Sequence, residues 1–299
     1  MTAYSIAKAN IYKTWFLMLF FVGLIIALSF VFSSLLENQS ILYGGVAFAV
    51  FFNLLTYWYS DKWVMALNQA KEVHKKDLPE VYRLLENLAI ATGIPTPKLY
   101  LIEAAAPNAF ATGRNWKNAA VAVTTGIIER LNERELEGVL AHELSHIKNY
   151  DTRLMVVAGI LAGIVAILAD LFLRLSWWGG GRREGERGGN AIIFVIAIAL
   201  AFLAPLFAQL MQLAISRKRE FLADSSASLV TRQPEALASA LEKIARDPRV
   251  LQTAEPATAH LYIVNPFKNS KGFIGWLGNL FSTHPPVEAR IKLLRGMVL

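Results

Sequence analysis

Residues 132–149 read NERELEGVLAHELSHIKN, and this stretch decides how the rest of the chain must be arranged. Its residues are strong helix formers without proline, and His142 and His146 stand four positions apart. On a helix, side chains at positions i and i+4 share one face, so both imidazoles can reach a single ion while Glu143 flanks it. The segment therefore predicts a zinc-binding helix, and another part of the chain must supply a further ligand.

A catalytic zinc ion takes three protein ligands and a water. The chain has no cysteine, which excludes thiolate ligands, disulfides and a cysteine nucleophile. The candidates for the third ligand are therefore the carboxylates and the other histidines, His74, His260 and His284. Glu220 is the strongest, because two apolar runs separate it from His146 and an even number of crossings returns it to the same side of a membrane. Asp224, one turn later, is expected to accept the second N–H of a ligand histidine. His74 and His260 are expected at the surface.

The composition places the chain at least partly in a bilayer. Apolar residues make up 55% and charged residues 18%, whereas a soluble domain carries about a quarter charged residues. The mean hydropathy is +0.39. Four apolar runs are long enough to span the hydrocarbon core, and they cover residues 15–36, 41–59, 154–173 and 191–215.

The order of these runs predicts four segments. Residues 1–60 form a transmembrane hairpin, and residues 154–215 form a second pair of spans joined by a glycine-rich loop at 176–189. Residues 61–153 and 216–299 are polar and are expected to form the two halves of one domain that holds the metal site. Residues 98–102 and 119–124 are β-prone. The expected fold class is an integral membrane protein, mainly α with a small β-sheet, in which four transmembrane helices carry an α+β domain.

Charge predicts the orientation. The link between the first two spans has no Lys or Arg, whereas Lys8, Lys13, Lys62 and Lys71 lie on the opposite side. The excess of cations marks the cytoplasmic side, so both termini and both polar segments are expected in the cytoplasm. Three arginines in the loop at 176–189 argue mildly against this orientation. The net charge of +7 is explained in this way, without a nucleic-acid partner.

Two further stretches carry candidate site residues. His284 precedes two prolines, and we expect it to donate a hydrogen bond to the tetrahedral oxyanion that hydrolysis at a zinc ion would produce. Arg290 is expected to hold this segment in place through a buried ion pair. The alternative is an exposed histidine before a helix that starts at Pro285. The β-prone stretch before the zinc helix predicts an edge strand that pairs with an extended substrate, through Asn108, Ala109, Phe110 and Ala111. The alternative there is an ordinary structural hairpin.

The combination of motifs resembles one known family. The sequences HELSH at 142–146, REFLAD at 219–224 and THPP at 283–286, with Arg290 and the PNAFATG stretch at 107–113, are similar to those of HtpX-type membrane zinc proteases, relatives of the CAAX prenyl proteases. The resemblance covers nearly the whole chain, although the loop at 176–189 departs from it. It implies a zincin-like (gluzincin) endopeptidase of inner-membrane quality control, with Glu220 as the third ligand of one Zn²⁺ per subunit.

In this interpretation Glu143 is the general base, and the substrates are unfolded or membrane proteins reached at the lipid surface. Two alternatives stay open. A CAAX-type prenyl protease is disfavoured by the small number of spans. A non-enzymatic membrane adaptor or metal carrier is disfavoured by Glu143, since transport needs no base. The sequence predicts no particular oligomeric state.

Overall fold

The structure is a computed structural model that describes residues 3–35, 37–178, 217–251, 254, 256–267 and 285–297. It begins with two long helices, α1 (Ala3–Leu35) and α2 (Gln39–Leu67), which pack against each other as a hairpin. Among the described residues, these two helices are long and apolar enough to cross a membrane. α1 covers residues 15–35 of the first predicted span, and α2 contains the whole of the second, residues 41–59.

The hairpin has an apolar outer face as well as a buried inner face. Phe16 and Leu19 are 63% and 69% exposed, whereas Phe21 and Ala49 are fully buried. Large exposed apolar surfaces are rare on soluble monomers and are covered by lipid or a partner when they occur. The outer face of the hairpin is therefore the surface expected to contact lipid.

A small mixed sheet follows the hairpin. Its strands are β1 (Lys71–Val73), β2 (Lys98–Ile102), β3 (Ala109–Thr112) and β4 (Ala120–Thr124), and their order across the sheet is β1-β2-β4-β3. β2 and β4 run parallel, and the two outer strands pair antiparallel with them. The predicted small sheet is thus confirmed. β1 was not predicted, because two charged residues and one valine at an exposed edge give no alternating apolar pattern.

The helices of the polar part surround one central helix. They are α3 (Pro79–Thr92), α4 (Thr125–Arg130), α5 (Glu133–Lys148), α6 (Asp151–Trp178), α7 (Arg217–Thr231), α8 (Pro234–Arg246) and α9 (Val287–Arg295). Short 3-10 turns occupy Trp116–Asn118 and Pro256–Leu261. α5 packs against α3, β3, α7 and α8. α6 contains the run predicted as the third span, while the fourth predicted span at 191–215 and most of the loop at 176–189 lie outside the described residues.

The sheet separates two apolar cores, which explains why β3 and β4 are buried on both faces. Phe110 and Ala122 point into a core shared with the hairpin and α6. Ala111 and Val121 point the other way, into the core that holds α5. Because successive side chains of a strand point to opposite faces, β3 and β4 join the membrane hairpin to the helix with the two histidines.

Candidate metal centre

Three buried side chains meet on one side of α5. His142 and His146 project from successive turns of this helix, and Glu220 reaches them from the first turn of α7. The two Nε2 atoms lie 3.1 Å apart. The Glu220 carboxylate lies 3.7 Å from Nε2 of His142 and 3.5 Å from Nε2 of His146. The structure therefore brings together the three residues predicted as ligands.

The spacing of these atoms fits a tetrahedral ion. Ligand atoms at about 2.0–2.1 Å from zinc, in tetrahedral directions, lie about 3.3 Å from each other. The observed separations of 3.1 to 3.7 Å bracket this value. Within the described ranges, this is the one group of three His, Asp or Glu residues with ligand atoms close enough to share an ion.

A buried ion pair supports the first imidazole. Nδ1 of His142 lies 2.9 Å from the Asp224 carboxylate. Arg290 donates to both oxygens of Asp224, at 2.9 and 2.7 Å, and also to the Ile263 carbonyl. Burial raises the pKa of Asp224, but the Arg290 guanidinium and His142 outweigh it and lower this pKa to about 2. The structure thus places the two predicted supporting residues against each other and against His142.

The second imidazole has a supporting carboxylate that sequence reasoning missed. Nδ1 of His146 lies 3.1 Å from Oδ2 of Asp151, the first residue of α6. The other oxygen of Asp151 accepts a hydrogen bond from Arg219, which directly precedes Glu220. A signal was present, because Asp151 follows His146 by five residues in the sequence, across the break between two helices.

The two imidazoles differ in the direction of their pKa shifts. Burial, together with Arg290, lowers the pKa of His142 to about 4, so this ring is neutral and can donate a lone pair to a metal. Burial lowers the pKa of His146 too, but Glu220 and Asp151 outweigh it and raise the pKa to about 9. The carboxylates of Glu220 and Asp151 therefore stabilise a positive charge at His146. A divalent ion on Nε2 would supply that charge in place of the proton.

Glu143 lies beside this group and has the properties of a base. Its side chain is buried, and the backbone N–H of Ala111 in β3 donates to its carboxylate. Burial, assisted by the charge of Glu220, raises the pKa of Glu143 to about 7. A pKa near the working pH is the most effective for proton transfer in both directions.

The proposed substrate strand is at the sheet edge but is partly covered. The carbonyl of Ala109 accepts a hydrogen bond from the Ile263 N–H, and Phe110 bridges to Tyr262. Asn108 is buried, and its amide donates to the Val264 carbonyl. A peptide that adds to this edge would have to displace residues 262–264, and substrate binding by residues 108–111 stays a prediction.

The predictions for the three remaining histidines fare differently. His284 lies outside the described residues, while Pro285 and Pro286 lead directly into α9, which carries Arg290. His74 is exposed, as expected. The expected surface position of His260 is wrong: it is buried, and its Nε2 donates to the Met155 carbonyl in α6. The turn Pro256–Leu261, which contains His260, packs against α6, and this contact explains the burial.

The chain is similar to several known proteins. Residues 75–298 match peptidase family M48. The chain is 43% identical over 289 residues to a protease HtpX homolog of Pyrococcus furiosus, covering 96% of each chain. It is 41% identical over 297 residues to a protease HtpX homolog of Dictyoglomus thermophilum, covering 99% of this chain and 95% of the relative. The crystal structure of S. mikatae Ste24p aligns with a TM-score of 0.49 and 18% identity, over 97% of this chain and 66% of that one.

The matches confirm the resemblance to HtpX-type proteases that the motifs predicted. The two HtpX relatives are covered over nearly their full length. The residues that match the family, 75–298, include both α5 and the helix that carries Glu220. With its apolar hairpin and its group of two histidines and a glutamate, the chain belongs to peptidase family M48 and is a membrane-bound metalloprotease.

Proposed function

We propose that the chain is a zinc endopeptidase in which His142, His146 and Glu220 hold one Zn²⁺ per subunit. The observation that carries the proposal is the meeting of three ligand atoms at 3.1 to 3.7 Å, from two helices that are far apart in the sequence. Two imidazoles and one carboxylate are a ligand set of catalytic zinc sites, which keep a fourth position for water.

The roles of the surrounding side chains follow from their contacts. Zinc held by these three residues would supply an acidified water and would polarise the scissile carbonyl. Glu143, with its pKa raised to about 7, takes the proton from the water and delivers it to the leaving amine. Asp224 accepts the Nδ1 proton of His142 and keeps Nε2 free for the metal, and Arg290 holds Asp224 in place. We assign to His284 the hydrogen bond that stabilises the oxyanion.

The substrates and the location belong to the same proposal. The chain cleaves unfolded or membrane proteins in the inner membrane. An extended substrate pairs with β3 at Asn108, Ala109, Phe110 and Ala111 once it has displaced residues 262–264 from that edge. Four spans anchor it, with the spans at 154–173 and 191–215 completing the set. The two halves of the protease domain, residues 61–153 and 216–299, face the cytoplasm. The low sequence specificity of main-chain pairing supports a role in quality control.

The test is the cleavage of a labelled unfolded protein by the purified full-length chain in detergent. We expect Glu143→Gln to lower the rate roughly 10²-fold to 10⁴-fold, the range for loss of a general acid–base group, with the zinc content unchanged. Glu137→Gln, on the same helix, is the control and should cleave at the wild-type rate.

Two results would contradict the proposal. If Glu143→Gln cleaves as fast as wild type, the assigned base is wrong. If wild type binds zinc but shows no cleavage that a chelator abolishes, the site serves metal binding without hydrolysis, as an adaptor or carrier would.

A further inference from the structure

A side chain of the first membrane helix contacts Asp151, the carboxylate behind His146. Asn10 lies on the buried face of α1 and is 1% exposed. Its Nδ2 donates to Oδ1 of Asp151 at 2.7 Å and to the Asn149 carbonyl at 2.8 Å. Both hydrogens of the amide are therefore used, and both go to the junction between α5 and α6. Thr14 lies one turn further along α1, and its hydroxyl donates to the Asn10 carbonyl.

The carboxylate that Asn10 contacts is the one that orients His146. Oδ2 of Asp151 lies 3.1 Å from Nδ1 of His146, and Oδ1 accepts from both Asn10 and Arg219. Asp151 is 1% exposed, so its carboxylate is shielded from bulk solvent. The direction of Oδ2 toward the imidazole is thus set by the two donors on Oδ1.

The second hydrogen bond of Asn10 holds the backbone of the same junction. Tyr150 has φ of 58°, in the left-handed region that non-glycine residues adopt at a cost. This residue turns the chain between the end of α5 and Asp151. By binding the carbonyl of Asn149, Asn10 fixes the turn that determines where Asp151 stands relative to His146.

We propose that Asn10 is a positioning residue of the metal centre, which acts on His146 through Asp151 and couples the membrane hairpin to metal affinity. The inference rests on the proposed function, since it takes His146 as a ligand. Loss of a group that orients a metal ligand costs roughly 10-fold to 100-fold in metal affinity. Asn10 is one contact further from the metal, so its loss should weaken zinc binding by a smaller factor, about 3-fold to 10-fold.

The experiment measures zinc affinity of the full-length chain in detergent, by competition with a chromophoric chelator. Asn10→Ala removes both donors, and Asn10→Asp keeps the shape but places a carboxylate against Asp151. Asn53→Ala is the matched control, because Asn53 is a buried amide of the same hairpin whose Nδ2 donates to the Ala49 carbonyl within α2. We expect both Asn10 variants to bind zinc more weakly, and Asn53→Ala to bind it as wild type does. The melting temperature of each metal-free chain shows that it is folded.

A double-mutant cycle with Asp151→Asn separates positioning from general loss of structure. If Asn10 acts through Asp151, the double variant binds zinc no more weakly than Asp151→Asn alone. Additive losses, or wild-type affinity in Asn10→Ala, would overturn the inference. Should Asn10→Ala fail to fold, Asn10→Asp decides, and unchanged affinity there is equally fatal. Failure of the proposed function is recognised separately, because wild type itself would then bind no zinc that depends on Glu220.

Discussion

At the residue scale, each imidazole of the centre is backed by its own carboxylate and arginine. His142 contacts Asp224, which pairs with Arg290, and His146 contacts Asp151, which accepts from Arg219. Each pair fixes the ring by its Nδ1 side and leaves Nε2 directed at Glu220. A carboxylate behind a ligand histidine sets the tautomer and raises the basicity of the ligating nitrogen.

Replacement of Arg290 by methionine tests the buried ion pair. Arg290 and Asp224 are both fully buried, so the variant leaves a carboxylate without its partner. Removal of one partner of a buried pair costs about 3–5 kcal/mol. We expect a large fall in the thermal midpoint of unfolding. Arg295→Met, at the half-exposed arginine further along α9, should change stability by about 1 kcal/mol or less. Equal shifts in the two variants would refute the structural role of the pair.

The site residues that could be predicted from the sequence are those whose spacing or position along the chain is informative. His142, Glu143 and His146 follow from the i, i+4 rule, and Glu220 with Asp224 follows from its position after the last apolar run. Asn10 and Arg219 could not be found in this way, because their partner Asp151 is 141 and 68 residues away. Long-range hydrogen bonds leave no periodic signal in a single sequence.

At the scale of elements, the start of α5 has a complete capping box. The Asn132 side chain accepts from the Glu135 N–H, and the Glu135 carboxylate accepts from the Asn132 N–H. We expect Asn132→Ala to lower the free energy of unfolding by about 1 kcal/mol. The measurement is denaturant or thermal unfolding beside Arg134→Ala, an exposed residue of the same first turn. No difference between the two variants would show that the cap does not stabilise the helix.

The end of α8 carries a pH-dependent ion cluster. The Arg249 guanidinium, helped by Arg130, lowers the pKa of Asp247 from 3.8 to about 2. A carboxyl group whose pKa is lower in the folded state stabilises the fold at pH values above its unfolded-state pKa. This stabilisation is lost as the pH falls toward the folded-state pKa. The stability difference between wild type and Asp247→Asn should therefore be full above about pH 4 and shrink as the pH approaches 2. A difference that does not change with pH would contradict the assignment.

The elements of the first half of the protease domain, residues 61–153, show the limits of pattern analysis. The strands at 98–102 and 120–124 carry β-branched and apolar residues and were predicted, whereas β1 has a polar sequence and forms by pairing with β2. α4 and the turn at Tyr150 depend on side-chain caps and on a left-handed residue. Such features are decided by neighbours in space more than by periodicity.

At the scale of the whole molecule, the absence of cysteine allows a direct test of orientation. Gln39, the first residue of α2, and Glu80, at the start of α3, are both exposed and can each be replaced by a single cysteine. If the protease domain is cytoplasmic, a membrane-impermeant thiol reagent labels Gln39→Cys in intact cells and labels Glu80→Cys only after lysis. The reverse pattern would place the domain on the outer side and refute the orientation proposed from the lysines.

The most direct measurement of the central claim is the zinc content of the purified chain, with X-ray absorption to give the ligand distances. We expect one zinc per chain in wild type and in Glu143→Gln, with nitrogen and oxygen ligands at about 2.0–2.1 Å. Glu220→Ala should lose most of the metal while circular dichroism shows that it stays folded. One full equivalent of zinc in folded Glu220→Ala would contradict the account, because the third ligand would then come from elsewhere.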